Sequence, residues 1–246
     1  MKLNSQLDIN FISLIFGSMF GYIVLVLTMP ILTRLYSPAS FGDLSLYLSA
    51  VGLVSVLASG KFELKISTAK TLKQAKGFVA VTIIYSMVFL FITSLLFDIT
   101  KLYVYDFESE VSIYLVVLGA LLVAVYNALI NLNLFLERFI LISKTNASRT
   151  ILASFAQLFL TFMTVNSIGL ILGDVVGRLA GLRILSIKIM NDFVLNFQEL
   201  FVLFKAHFVE SFIVSIGWFL NNSSIHIIPI YIYYIYGHDS AGLIFI

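Results

Sequence analysis

The segment 113–125 reads IYLVVLGALLVAV, without one charged side chain, amide or aliphatic hydroxyl. Runs of this kind recur along the chain, and they constrain the fold more than any other feature. They do not alternate in polarity, so they do not fit the dyad pattern of a membrane β-barrel strand. In a bilayer every backbone N–H and C=O must be satisfied within the segment, which leaves the helix as the spanning element. About 20 apolar residues cross the hydrocarbon core. On that basis the sequence predicts spans near 11–33, 41–60, 77–97, 111–135, 147–165, 168–187 and 209–236. An eighth begins at Ser240-Ala241-Gly242 and stops at Ile246.

Composition agrees. The chain is 60% hydrophobic and 11% charged, where a soluble domain has about 45–50% and about 25%. Its mean hydropathy is +1.04. The expected fold class is therefore all-α, a polytopic membrane helix bundle. Met1-Lys2 leads into the apolar run with no small-residue cleavage site, so the first helix is expected to be retained. A chain that stops inside an apolar run leaves a helix unfinished, and the sequence reads as a truncated one.

The charges have an order along the chain. All of the 15 Lys and Arg except Arg34 and Lys101 fall in alternate loops. The positive-inside rule then sets a cytoplasmic N-terminus and the same number of spans. The segment 188–208, KIMNDFVLNFQELFVLFKAHF, mixes charged and apolar residues and reads as an amphipathic helix along the inner interface. It divides the chain into a six-helix lobe (1–187), a linker (188–208) and the start of a second lobe (209–246). The lysines of 61–76 suit anionic lipid headgroups.

Four polar patterns lie within the apolar runs. Thr150, Ser154, Gln157, Thr161 and Thr164 share one helical face beside Arg149. That stripe fits a hydrated cavity wall or interhelical hydrogen bonding. Asn127, Asn131 and Arg138 share a face, with Asn133 and Glu137 adjacent, and fit a sugar or phosphate contact or a structural network. In GLILGDVVGRLAG (169–181) glycine recurs every four residues and forms a packing ridge. Beside it Asp174 and Arg178 are spaced to pair, either lining a cavity or locking two helices. Asn221, Asn222, Ser223, Ser224 and His226 precede Pro229, which removes a backbone hydrogen bond. This region is a candidate hinge, and His226 a candidate proton-coupling group. Pro30 is the corresponding hinge candidate of the first span.

The chain has no cysteine, and its 3 histidines stand in no metal-ligand spacing with carboxylates. There is no Gly-rich phosphate loop and no nucleophile elbow. No catalytic residue, metal site or cofactor is expected, and no nucleic-acid partner.

The segment 30–66, PILTRLYSPASFGDLSLYLSAVGLVSVLASGKFELKI, resembles the N-terminal portion of bacterial polysaccharide and O-antigen flippases of the MATE-like MOP transporter superfamily. The likeness lies in a Pro-containing first span, an Arg-Leu-Tyr-Ser-Pro turn, a Phe-Gly, and a basic-aromatic-Glu element at Lys61, Phe62 and Glu63. Relatives often carry arginine at the Lys61 position. GLILGDVVGRLAG is similar to the family's glycine-rich sixth helix, and PIYIYYIYGHDSAGLIFI to its seventh-to-eighth connection.

The resemblance implies a two-lobed transporter of the bacterial inner membrane. It would move undecaprenyl-pyrophosphate-linked oligosaccharide, an O-antigen or capsule-type repeat unit, between leaflets by alternating access. This chain would supply the N-terminal lobe and the start of the second. Arg34, Arg138, Arg149 and Arg178 are then candidate phosphate contacts. Asn127, Asn131 and Gln157 are candidate sugar contacts, and Asp174 is a further cavity residue. Membrane lipids and other polysaccharide assembly proteins are the implied partners. The alternatives are a cation-coupled small-molecule antiporter of the same superfamily, an inactive fragment, and a membrane glycosyltransferase or polymerase using Asp106, Glu108 and Glu110. At Arg34 an interfacial anchor competes with an outer-gate contact.

Overall fold

The structure, a computed structural model, describes residues 2–103, 111–163, 167–186 and 196–246. Asp106, Glu108, Glu110, Thr164, Asn166 and positions 188–195 of the expected linker lie outside the described residues. Nine helices form the described chain. They are α1 (Lys2–Leu35), α2 (Pro38–Ser59), α3 (Glu63–Ser67), α4 (Leu72–Tyr103), α5 (Ile113–Phe135), α6 (Phe139–Thr161), α7 (Ile168–Ser186), α8 (Phe197–Tyr236) and α9 (His238–Phe245).

Among the described residues, four segments are long and apolar enough to cross a membrane: Pro38–Ser59, Leu72–Ile99, Ile113–Phe135 and Phe197–Tyr236. The apolar part of α1 that is described is shorter, Met19–Leu35. The spans expected at 147–165 and 168–187 are present as helices, α6 and α7, but are less apolar. Lys144, Arg149 and the hydroxyl stripe dilute α6, and Asp174, Arg178 and Arg183 fall within the 19 residues of α7. Length is not what sets α7 apart, since 19 residues at about 1.5 Å each nearly match a hydrocarbon core of about 30 Å.

Local sequence explains where the helices turn. Ser37 caps α2, its hydroxyl accepting the Ser40 N–H at 3.3 Å, and Pro38 occupies the first turn, where its missing N–H costs nothing. At the other end Gly60 takes the left-handed conformation with φ 54°, which an L side chain adopts at a cost. The α5–α6 connection turns at Glu137, φ 55°, and the Asn133 carbonyl accepts the Arg138 N–H at 2.9 Å.

Helix α2 is the centre of the bundle: 67% of its apolar window is buried, against 17% for α8. Phe41, Tyr47 and Val51 of α2 pack with Val116 and Leu122 of α5, Leu170 and Ile171 of α7, and Tyr233 and Ala241 of α8 and α9. On the outside, Phe91, Phe155, Phe159, Ile213 and Leu220 are each more than 60% exposed. Apolar side chains spread this widely over several helices face a solvent that is itself apolar. Together these features make the chain a multi-pass membrane protein.

The basic loops gather at one end. Lys73 pairs with Glu199 at the start of α8 at 2.7 Å, Lys65 pairs with Glu210, and Ser67 donates to Asn131 near the end of α5 at 2.8 Å. The lysines expected to meet lipid headgroups are thus partly engaged with acids of α8. Helix α8 runs unbroken across position 208/209, where the sequence places a boundary. Its 40 residues give a length of about 60 Å, twice the hydrocarbon core. The first turns of α8 therefore extend past the bilayer on the lysine-rich side.

Candidate functional site

A cavity of about 200 Å³ lies between α1, α2, α6, α7 and α9. Met29 and Leu32 of α1, Phe41 and Leu44 of α2, and Phe245 of α9 form much of its apolar wall. Its polar wall is Arg149, Thr150, Ser154 and Gln157 of α6 with Asp174 of α7. The hydroxyl stripe of α6 therefore lines a cavity over its first two turns. It also binds helices together: the Thr28 hydroxyl lies 3.3 Å from Ser154 Oγ, and Gln157 Nε2 donates to the Leu170 carbonyl at 3.1 Å. Thr161 instead turns its hydroxyl back onto the Gln157 carbonyl, 2.9 Å away.

The charges are arranged around Asp174. Arg178 Nε donates to Asp174 Oδ2 at 2.6 Å, the one-turn pairing that the spacing predicts. Arg149 Nη2 stands 3.9 Å from Asp174 Oδ1, and its guanidinium lies over the Tyr126 ring, 5.3 Å from the centroid. Two arginines thus share one carboxylate, leaving a net positive charge. Arg178 is 9% exposed and Arg149 33%, so Arg149 is the cation with capacity left for a ligand. Tyr47 is fully buried, with its hydroxyl beside the Asp174–Arg178 pair.

The α6–α7 contact that carries this cluster depends on small residues. A Cβ on Gly173 would overlap Gln157, and one on Gly177 would meet Ala153 and the Arg149 carbonyl. The glycine ridge is packing, as its spacing predicts, and it brings Asp174 across to Arg149.

The other candidates stand elsewhere. Arg34 is exposed in the last turn of α1, where the helix dipole favours a cation. Asn131 accepts from Ser67 and its Nδ2 donates to the backbone carbonyl of Asn127 at 2.9 Å, so Asn131 braces α5 against α3. Arg138 precedes α6 at the α5–α6 turn, with Nη1 buried and without a hydrogen-bond partner among the described residues. His226 lies against Gly52 of α2. Pro30 and Pro229 are inside α1 and α8, and neither helix is interrupted.

Three residues that the sequence did not single out form a second cluster at the opposite end from the lysines. Tyr233 OH donates to Asp43 Oδ1 at 2.7 Å, and His238 Nδ1 is 3.3 Å from the same oxygen. The Tyr233 and His238 rings stack at 4.3 Å. Asp43 and Tyr233 are 190 positions apart, so no local spacing announces them. No group of three or more His, Cys, Asp or Glu among the described residues is placed to hold a metal ion.

Compared with family models, curated proteins and solved structures, the chain matches none.

Proposed function

We propose that the protein is a lipid-linked oligosaccharide flippase of the MATE-like superfamily, of which this chain forms the N-terminal lobe and the start of the second. The observation that carries the reading is the cavity in which Arg149, Gln157 and Asp174 converge among apolar helices. It offers a cation for a pyrophosphate and hydroxyl and amide groups for a sugar, and no nucleophile or acid–base pair. The cavity is below the ligand-pocket range of about 300–1,000 Å³. It suits a headgroup fragment, and a repeat unit requires α1 to separate from α2 and α9. The resemblance of segment 30–66 supplies the cargo and the inner-membrane location, and the alternation of basic loops supplies the cytoplasmic N-terminus.

The test is complementation in a host whose own polysaccharide exporter is deleted, using the complete gene. Arg149→Ala is expected to reach the membrane and to abolish surface glycan. Unchanged surface glycan would remove this cavity from the transport path.

Asp174 on the cavity wall favours one competing reading, a cation-coupled antiporter. That reading predicts ion-dependent efflux of small cations, abolished by Asp174→Asn, in a strain whose surface glycan is normal.

A further inference from the structure

Helix α9 covers the cavity through Phe245, and two features hold α9 to α2. The first is a backbone-to-backbone crossing. A Cβ on Gly42 would overlap the His238 carbonyl, and one on Gly242 would overlap the Pro38 carbonyl. No side chain separates the helices there. The second is the Asp43–Tyr233–His238 cluster directly beside that crossing.

We propose that this cluster is a proton-binding site that latches α9 onto α2 and so controls access to the cavity. The inference rests on the cavity being a transport path, as argued above. Tyr233 has one O–H, and the 2.7 Å contact commits it to Asp43 Oδ1. It has none left for His238 Nδ1 at 3.2 Å, so Nδ1 carries the proton and donates. The carboxylate accepts from Tyr233, and His238 Nδ1 stands 3.3 Å from it, at ion-pair distance. The His238 side chain is 42% exposed, while Asp43 is 3% exposed. A protonated His238 ring puts a cation 3.3 Å from the Asp43 carboxylate and makes the contact an ion pair. Loss of that proton weakens the latch.

Few other charges compete. Asp43 is the sole charged residue of α2, α5 has none, and α8 has none after Glu210 apart from His226. Helix α9 itself adds Asp239, and the last turn of α1 adds Arg34, which is exposed. Asp174 and Arg178 of α7 pair with each other, the Tyr36 hydroxyl is used on the Gln157 carbonyl, and Asp98 of α4 accepts from Tyr114. The charge state of the latch is therefore set chiefly by His238.

The chain lacks cysteine, so Ala39→Cys with Leu243→Cys gives a unique spin-label pair across the crossing. In lipid nanodiscs the short-distance population is expected to grow as pH falls from 8 to 5, the window in which histidine changes charge. His238→Gln and Asp43→Asn are each expected to abolish that dependence. A distance distribution independent of pH, or a dependence that survives His238→Gln, would overturn the proposal. The measurement needs no substrate. A failed glycan assay with an intact pH response therefore rejects the flippase reading alone, and the converse rejects the latch alone.

Discussion

Gly42 and Gly242 make reciprocal contact: each lies against the carbonyl that begins the other helix's turn, Pro38 for Gly242 and His238 for Gly42. A crossing closed by two backbones has no side chain to rotate out of the way. Gly42→Val and Gly242→Leu are each expected to cost about 3 kcal/mol, the upper end for overpacking, because the obstructing atoms belong to the main chain. Gly217 has nothing within 4 Å of an added Cβ, so Gly217→Ala is the control that leaves the thermal midpoint in detergent at or above that of the parent.

Breaking the Asp174–Arg178 pair on one side leaves a buried charge without its partner. Asp174→Asn is expected to destabilise by about 3 kcal/mol. Arg178→Met added to it is expected to recover part of the loss, because the stranded cation is gone. A double-mutant cycle on the unfolding midpoints measures the coupling. Additive losses would refute the pairing.

Arg149 and Arg138 are both candidate cations by sequence, and the structure places them differently. Arg149 lines the cavity, whereas Arg138 sits at the α5–α6 turn. In the complementation assay Arg149→Ala is expected to lose surface glycan, and Arg138→Ala to retain it at matched membrane levels. Equal losses would remove the cavity as the distinguishing feature.

Two lysine pairs separate burial from mere proximity. Lys73–Glu199 has side chains 71% and 48% exposed, whereas Lys61–Glu63 has 11% and 3%. Lys61 also stands over the Trp218 ring at 4.7 Å. Lys73→Met is expected to change stability by less than about 1 kcal/mol, an effect that fades in high salt. Lys61→Met is expected to cost about 3 kcal/mol and to be salt-insensitive, since Glu63 remains buried without its cation. Thermal midpoints at low and high NaCl check both.

Much of the fold was legible in periodicity and charge. The apolar runs locate α2, α4 and α5, and the one-turn relations of Asp174 with Arg178, of Thr150, Ser154 and Gln157, and of the α7 glycines reappear, whereas the face expected to join Asn127 and Asn131 to Arg138 is broken because α5 ends at Phe135. The relations that reappear are those that helix geometry alone imposes. The continuity of α8 was not legible, because a segment that mixes charged and apolar residues reads equally as an interfacial helix or as the extension of a span. The Glu199 and Glu210 pairings with Lys73 and Lys65 show which neighbours it meets.

The sequence by itself determined the solvent, the helical class and the one-helix faces, because a bilayer leaves the backbone few ways to be satisfied and a helix fixes its own neighbours. Only the tertiary structure decided which faces meet. It set Arg149 against Asp174 and turned Asn131 away to Ser67. It also assembled Asp43, Tyr233 and His238 from helices far apart in the chain. Those choices depend on close approach between helices, at Gly173, Gly177, Gly42 and Gly242, and close approach is a property of two surfaces that no single stretch of sequence contains.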